Sequence, residues 1–245
     1  MNIQYALKRI QKADYDFGMI QDGDKVAVAL SGGKDSMLLF LSLSIYQKFK
    51  DKNFSLVGIH IDVGFEDFDH NTMKDFANKY NLNLHIEKTH IFDILNKNEN
   101  KERIQCSLCS NLKKGALFKV AKDLGCNKLA LGHHSDDAIE TLFMNMIHGA
   151  KIATFNPCQY MSKTQLTMIR PLIYCEENEI IKLCTNNDIP SVKRVCPNDG
   201  FTQRQEIKDI LQELYKKYPI AQKNFLTSLS NLEHIELWHK KDRKK

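Results

Sequence analysis

Apolar and polar residues follow two rhythms along this chain. The unbroken apolar run Val26-Ala27-Val28-Ala29-Leu30 and the nearly continuous run from Ser55 to Asp62 have the pattern of short strands buried on both faces. Shorter runs near 82–86 and 128–132 predict a third and a fourth strand. Between them the pattern turns helical, over 2–20, from Met37 through Tyr46, around 71–80 and over 136–147. It is clearest over 107–124, where Leu108, Leu112, Leu117, Val120 and Leu124 recur at helical spacing before Gly125. Strands alternating with helices place the chain in the α/β class, with a parallel sheet covered by helices on both faces. Ligands then bind at the carboxyl ends of the strands. Beyond about residue 150 the pattern is less regular, with helices expected near 176–187, 203–217 and 220–238. That part is expected to complete the sheet, cap the site or mediate dimerisation. The organisation that follows is an N-terminal helix over 1–22, a main domain over 23–175, a helical C-terminal part over 176–238 and a basic tail over 239–245.

The most informative residues lie directly behind the first strand: Ser31-Gly32-Gly33-Lys34-Asp35-Ser36. They form a strand-to-helix turn. Two glycines let backbone approach a ligand, and the opening helix turn offers unpaired N–H groups with positive dipole charge. Lys34 adds a full charge, and Ser31 and Ser36 add hydroxyls. This is a cradle for polyphosphate, although the spacing is not that of a Walker A loop. An ordinary glycine-rich turn, with Asp35 or Ser36 capping a helix, is the plain alternative. The hexapeptide resembles the PP-loop of the ATP pyrophosphatases, which cleave ATP to AMP and pyrophosphate. A second candidate loop, Gly132-His133-His134-Ser135-Asp136-Asp137, falls at the end of the fourth strand, so both are expected at one crevice.

Composition narrows the class. No apolar run approaches the about 18 residues that span a membrane, and the N-terminal residues Lys8, Arg9, Lys12, Asp14 and Asp16 interrupt any secretory pattern. A cytoplasmic protein is expected. The net charge of +5 is concentrated in the last six residues, where five cations and one anion stand together. About +1 remains for the rest, so any RNA contact needs a local basic patch. Seven cysteines are too sparse for a disulfide scaffold, so closely spaced ones draw attention as metal or redox groups.

Cys106-Ser107-Leu108-Cys109 opens the long helix, with both sulfurs on one face and a dipole that favours thiolate. Zinc, a redox dithiol and an iron–sulfur cluster all use this spacing. Cys196, in the irregular segment Arg194-Val195-Cys196-Pro197-Asn198-Asp199-Gly200, is the best distant third ligand. Cys126, Cys158, Cys175 and Cys184 have ordinary packing explanations.

The joint layout resembles the tRNA 2-thiocytidine synthetase (TtcA-like) family. It comprises the PP-loop, Cys106-Ser107-Leu108-Cys109, the segment from Leu131 to Asp137, Ile169-Arg170-Pro171-Leu172, Cys196 and Gln203-Arg204-Gln205. The resemblance implies a 4Fe-4S cluster on Cys106, Cys109 and Cys196. It also implies ATP with Mg²⁺ bound at Ser31, Gly32, Gly33, Lys34, Asp35 and Ser36, aided by Asp62, Gly132, His133 and Asp136. Many relatives carry another cysteine soon after the late one; here Asp199 stands three positions beyond Cys196, which suits a cluster with three protein ligands.

By resemblance to the wider group of tRNA thiolases, Lys113 and Asp137 are the catalytic candidates. Lys113, one turn past Cys109, would stabilise phosphate charge, and Asp137 would handle protons or position the base. Plain alternatives are a solvated lysine beside Lys114 and a helix-capping aspartate; one of Asp136 and Asp137 is expected to cap and the other to face the ligands. The implied activity is adenylation of a pyrimidine carbonyl oxygen and its replacement by sulfur, giving 2-thiocytidine at position 32 of tRNA. A sulfur donor such as a cysteine desulfurase and a homodimer belong to the same expectation. The rivals are thiolation of a tRNA uridine, lysidine synthesis, and a non-catalytic nucleotide- and RNA-binding redox sensor. Uridine-thiolating relatives usually carry extra CxxC pairs at their chain ends that this sequence lacks, and lysidine synthesis gives no reason for the three cysteines.

Overall fold

The computed structural model describes residues 1–49, 53–65, 67–96, 106–193, 195 and 203–238. Helix α1 (Ile3–Phe17) starts at Asn2, whose side chain accepts from the Gln4 amide, and ends at Gly18 in the left-handed region. Its buried Asp14 accepts from the Ile20 amide and from the Tyr46 hydroxyl at 2.7 Å, pinning α1 to α2 (Lys34–Phe49). Strands β1 (Lys25–Ala29), β2 (Ser55–Asp62), β3 (Leu84–Lys88), β4 (Lys128–Ala130), β5 (Cys158–Met161) and β6 (Leu166–Ile169) form one sheet. Their order is β3-β2-β1-β4-β6-β5, parallel throughout except for β5, which runs antiparallel to β6 at the edge.

The central β1 is flanked by β2 and β4, so the chain reverses its winding direction there. Loops leaving β1 and β4 diverge and open a crevice at the strand ends, the usual ligand position in such sheets. One sheet face is packed by α1, α2 and α7 (Glu177–Asn186) around Ile10, Leu38, Phe40, Leu43 and Ile180. The other face is covered by α4 (Ile91–Asn96) and α5 (Cys106–Asp123), which bury Ile91, Leu95, Phe118 and Val120 against Val57, Ile59, Leu129 and Met168. Helix α3 (His70–Lys79) connects β2 to β3, capped by Asp69. Helix α6 (Ser135–Gly149) follows β4, and α8 (Gln203–Lys217) packs on it through Ile139, Ile207 and Leu211.

The α/β reading holds, with local corrections. Helix α2 begins at Lys34, so half of the glycine-rich hexapeptide is already helix. The third strand lies at Leu84–Lys88 rather than 82–86. Helix α4 and the β5–β6 hairpin carry patterns too short to stand out in the sequence. The predicted helix over 220–238 is α9 (Ala221–Ser228) followed by a single 3₁₀ turn at Leu232–His234. Phe225 and Leu226 of α9 pack beside Ile139, Ile207 and Leu211, but residues 230–238 are all exposed, so no buried face extends the helix further. Among the described residues no helix is long and apolar enough to cross a membrane. The basic tail lies outside the described residues.

Candidate active site at the strand ends

The 31–36 loop closes on itself through its own hydroxyls. The Ser31 amide donates to Ser36 Oγ at 3.2 Å, and Ser36 Oγ donates to the Gly33 carbonyl at 2.9 Å. Gly32 has a φ of +82°, and a Cβ there would stand 3.0 Å from Val192 Cβ. The Val192 amide donates to the Gly32 carbonyl at 2.8 Å, so the late segment runs across the loop. Gly132 is the point where the two strand-end loops meet. A Cβ on it would lie 3.1 Å from both the Asp35 carbonyl carbon and the Ser36 amide nitrogen. The expected convergence is therefore observed.

Lys34 is paired with carboxylates, its Nζ lying 3.1 Å from Asp35 Oδ1 and 3.1 Å from Glu177 Oε1. Burial works against its charge, but the two carboxylates outweigh it and hold its pKa above the usual value. Glu177 in turn pairs with Lys208 at 2.5 Å.

The two aspartates of the second loop divide their work differently from the expectation. Asp137 Oδ2 accepts from the His134 amide at 3.0 Å, capping α6, while Oδ1 binds Arg204 Nη1 at 2.8 Å. Asp136 is buried and accepts from the Ser135 hydroxyl, the Glu177 amide and Gln222 Nε2, joining α6 to α7 and α9. Burial opposes its charge, but these donors and His134 hold its pKa below the carboxylate range. Neither aspartate borders the cavities described next.

His133 and His134 are neighbours with opposite electrostatics. Burial pushes His133 down to about 4, helped by Arg170 and Arg204. His134 is as deeply set, but Asp136, Asp137 and Asp35 overcome burial and raise it. A carboxyl on the same helix, Glu140, is pushed up to about 7 by burial and by Asp137.

Two cavities open on the crevice and share Ser31, Ile61 and Lys113. One, of about 280 Å³, is bounded by Gly33, His60, Asp62, Val63, Phe65, Phe68 and Val195. His60 stacks on Phe68 at 4.7 Å, and its Nδ1 lies 2.8 Å from the Leu30 carbonyl. Asp62 accepts from the Gly64 amide at 2.9 Å and lies 3.3 Å from His70 Nε2. The other cavity, of about 320 Å³, lies between the sheet and α5. Lys113 thus occupies the wall between the two, on the helix that begins with Cys106.

A family profile for the PP-loop domain matches residues 1–213. Curated relatives named tRNA-cytidine(32) 2-sulfurtransferase include one from Citrifermentans bemidjiense, 37% identical over 95% of this chain and 92% of that protein. One from Geobacter sulfurreducens matches equally, 37% identical over the same shares of the two chains. The chain belongs to the tRNA 2-thiocytidine synthetase (TtcA-like) family of PP-loop proteins. A solved structure of the U34-tRNA thiolase NcsA from Methanococcus maripaludis, with its 4Fe-4S cluster, superposes with a TM-score of 0.74 at 25% identity. The match covers 96% of this chain and 80% of that one. The NH3-dependent NAD synthetase of Campylobacter jejuni, 14% identical with a TM-score of 0.50, covers 98% of this chain and all of that one, and shares the fold alone.

For the cluster that the family implies, the first turn of α5 offers Cys106 and Cys109, the latter half-buried against the apolar layer under the helix. A cysteine at the start of a helix suits an iron–sulfur group, because the dipole there favours the thiolate. Cys196 lies outside the described residues, but Val195 before it borders the same cavity as Lys113. By chemistry alone, cysteine thiolates are the donor type that such a cluster takes. Arg170, Glu177 and Arg204 are site residues that the sequence reading did not single out. Arg170 and Arg204 sat inside quoted motifs, whereas nothing in the sequence marked Glu177 as a partner of Lys34.

Proposed function

We propose that this chain is an ATP-dependent, iron–sulfur-dependent tRNA thiolase that produces 2-thiocytidine at position 32. The observation that carries this reading is the shared wall of the two cavities. Lys113 faces both, beside the phosphate-cradling loop and one turn beyond Cys109.

The cavity bounded by Asp62, Val63 and the Phe68 ring takes the nucleoside of ATP, with its phosphates, carrying Mg²⁺, along the 32–36 backbone. Amides at the opening turn of α2 then meet the β- and γ-phosphates. Lys34, held between Asp35 and Glu177, supplies charge beside them. The pyrimidine O2 attacks the α-phosphorus, forming the new P–O bond as the bridging bond to the β-phosphate breaks and pyrophosphate leaves. Lys113 stabilises the negative charge that builds during this step. Hydrosulfide then adds at C2, the adenylated oxygen departs as AMP, and the sulfur-bound proton passes to solvent. Asp137, which borders neither cavity, positions the loop after β4 by capping α6. His134 and Arg204 hold the Asp137 carboxylate in place. When bound, a cluster on Cys106, Cys109 and Cys196 supplies an iron with an open position for the sulfur nucleophile. A separate sulfur donor, such as a cysteine desulfurase, is required. The homodimer and the cytoplasmic location stand as expectations of the same reading.

The test is a mass analysis of tRNA nucleosides from a strain lacking this gene, with and without the complementing chain. The expected result is loss and return of 2-thiocytidine. Unchanged 2-thiocytidine would reject the reading, and loss of a 2-thiouridine instead would favour the uridine reaction, which the likeness to the U34 thiolase keeps in view. Lys113→Met in the complementing chain should abolish the product.

A further inference from the structure

The lysine of the 31–36 loop is held by side chains that border neither cavity of the crevice. Lys34 stands at the first position of α2, and its ammonium meets Asp35 Oδ1 on the same helix and Glu177 Oε1 on α7, each at 3.1 Å. Two of its three N–H donors are thus engaged, which leaves one for a phosphate oxygen. Helix α7 supports the same residue a second time, through the Cys184 thiol, which donates to the Lys34 carbonyl at 3.6 Å.

Glu177 is itself fixed from two directions. Its backbone amide donates to Asp136 Oδ2 at 2.9 Å, and Asp136 Oδ1 accepts from Gln222 Nε2 of α9 at 2.9 Å. Its second carboxylate oxygen, Oε2, lies 2.5 Å from Nζ of Lys208 on α8. One oxygen therefore serves the loop lysine and the other a lysine of the C-terminal helices. Burial opposes the Glu177 charge, but Lys208 and Lys34 hold its pKa below the usual glutamate value, so the group stays ionised. The three side chains are partly exposed, from 18% at Glu177 to 31% at Lys208, so solvent screens each pair. Their value then lies in orientation more than in attraction. A free lysine samples many rotamers, and ordering it on a ligand costs entropy, whereas Lys34 is ordered before a ligand arrives. An ionised Glu177 beside the loop would by itself repel a triphosphate. Lys208 offsets that charge and, by holding Oε2, fixes the rotation that aims Oε1 at Lys34.

We propose that Glu177 and Lys208 are a positioning pair for the phosphate-binding lysine: Lys208 sets the Glu177 carboxylate, and Glu177 holds the Lys34 ammonium where the β- and γ-phosphates of ATP pass. Helices α7 and α8, which the sequence set apart from the main domain, thereby support the phosphate site. This rests on the loop binding ATP as in the reading above and adds what keeps its lysine in place.

The experiment uses the full chain with Mg²⁺ and two ligands: the non-hydrolysable α,β-methylene analogue of ATP, and AMP, which lacks the β- and γ-phosphates. Affinities are measured by calorimetry for the wild type, Glu177→Ala, Lys208→Met, Lys208→Arg, and Glu177→Ala combined with Lys208→Met. Glu177→Ala and Lys208→Met should each weaken the ATP analogue by about 3- to 20-fold and leave AMP unchanged. Lys208→Arg should restore part of the affinity. The double variant should bind as weakly as Glu177→Ala alone, because Lys208 acts through Glu177. Unchanged or tighter binding of the ATP analogue by Glu177→Ala would overturn the assignment. An equal loss for AMP would overturn it too, by showing a general loosening of the site, as would losses that simply add in the double variant. Formation of 2-thiocytidine by the wild type is scored separately. Product from the wild type, with normal ATP-analogue binding by the variants, removes the pair and leaves the thiolase reading; the expected binding losses with no product remove the thiolase reading and leave the pair.

Discussion

The two faces of the sheet are built to different standards. Under α2 the packing is closed: a Cβ added to Gly58 would lie 2.6 Å from Leu30 Cδ1 and 2.7 Å from the Phe40 ring. Phe40, Leu38, Leu39 and Leu43 are all buried there. Under α5 the same sheet leaves an open space into which Lys113, His133 and Arg170 reach. The first face holds the molecule together, and the second spends potential contacts on a ligand. Protein interiors are normally close-packed, so a face that leaves open space between sheet and helix is the candidate working side of the sheet.

The sharpest test of this contrast uses one residue type on each face. Phe40→Ala should cost about 3–5 kcal/mol in chemical denaturation, because its surroundings cannot collapse into the void. Phe118→Ala, which enlarges an existing cavity, should cost clearly less; equal losses would erase the distinction between the faces. Next in size is Gly132→Val, which forces the two strand-end loops apart at their point of contact. ATP affinity should fall by about 10²-fold, measured by calorimetry, with little change in the denaturation midpoint. Gly58→Ala should destabilise by about 1–3 kcal/mol through overpacking of the closed face, while leaving ATP affinity unchanged.

The smallest effect belongs to the polar rim between α6 and α8. Glu140 holds its proton up to about pH 7 in the fold against 4.5 for an ordinary glutamate. Its contribution to stability is therefore complete below pH 4.5 and is lost as the pH rises to 7. Relative to the wild type, Glu140→Gln should gain about 1–2 kcal/mol when denaturation is compared above pH 7 and below pH 4.5. His133 runs the opposite way. Its pKa of about 4 lies below the ordinary 6.5, so stability from that group falls as the pH drops through this window. The two slopes oppose one another in the wild type, and Glu140→Gln should expose the histidine slope.

Much of the site was legible because its composition is local. Residues 31–36 suggest a phosphate cradle by glycine, lysine and hydroxyl content alone, and the spacing of Cys106 and Cys109 suggests a metal or redox purpose. The partners of those residues were not legible. Lys34 meets Glu177 from 143 positions away, and Asp137 meets Arg204 from 67. The division between Asp136 and Asp137 depended on which of them α7 and α9 would enclose. Arg170 was marked only as a member of the Ile169-Arg170-Pro171-Leu172 segment, with nothing local to show that it would be buried against Phe155.

The chain by itself determined the alternation of strands and helices, the position of the glycine-rich turn behind β1 and the order of the cysteines. These follow from side-chain periodicity and backbone freedom, which act over a few residues. Only the assembled molecule decided which charges are paired, which of two adjacent histidines loses its proton affinity, and which arginine is buried with a guanidinium nitrogen unmatched among the described residues. Those outcomes depend on burial and on electrostatic neighbours, and both are set by how the whole sheet is covered.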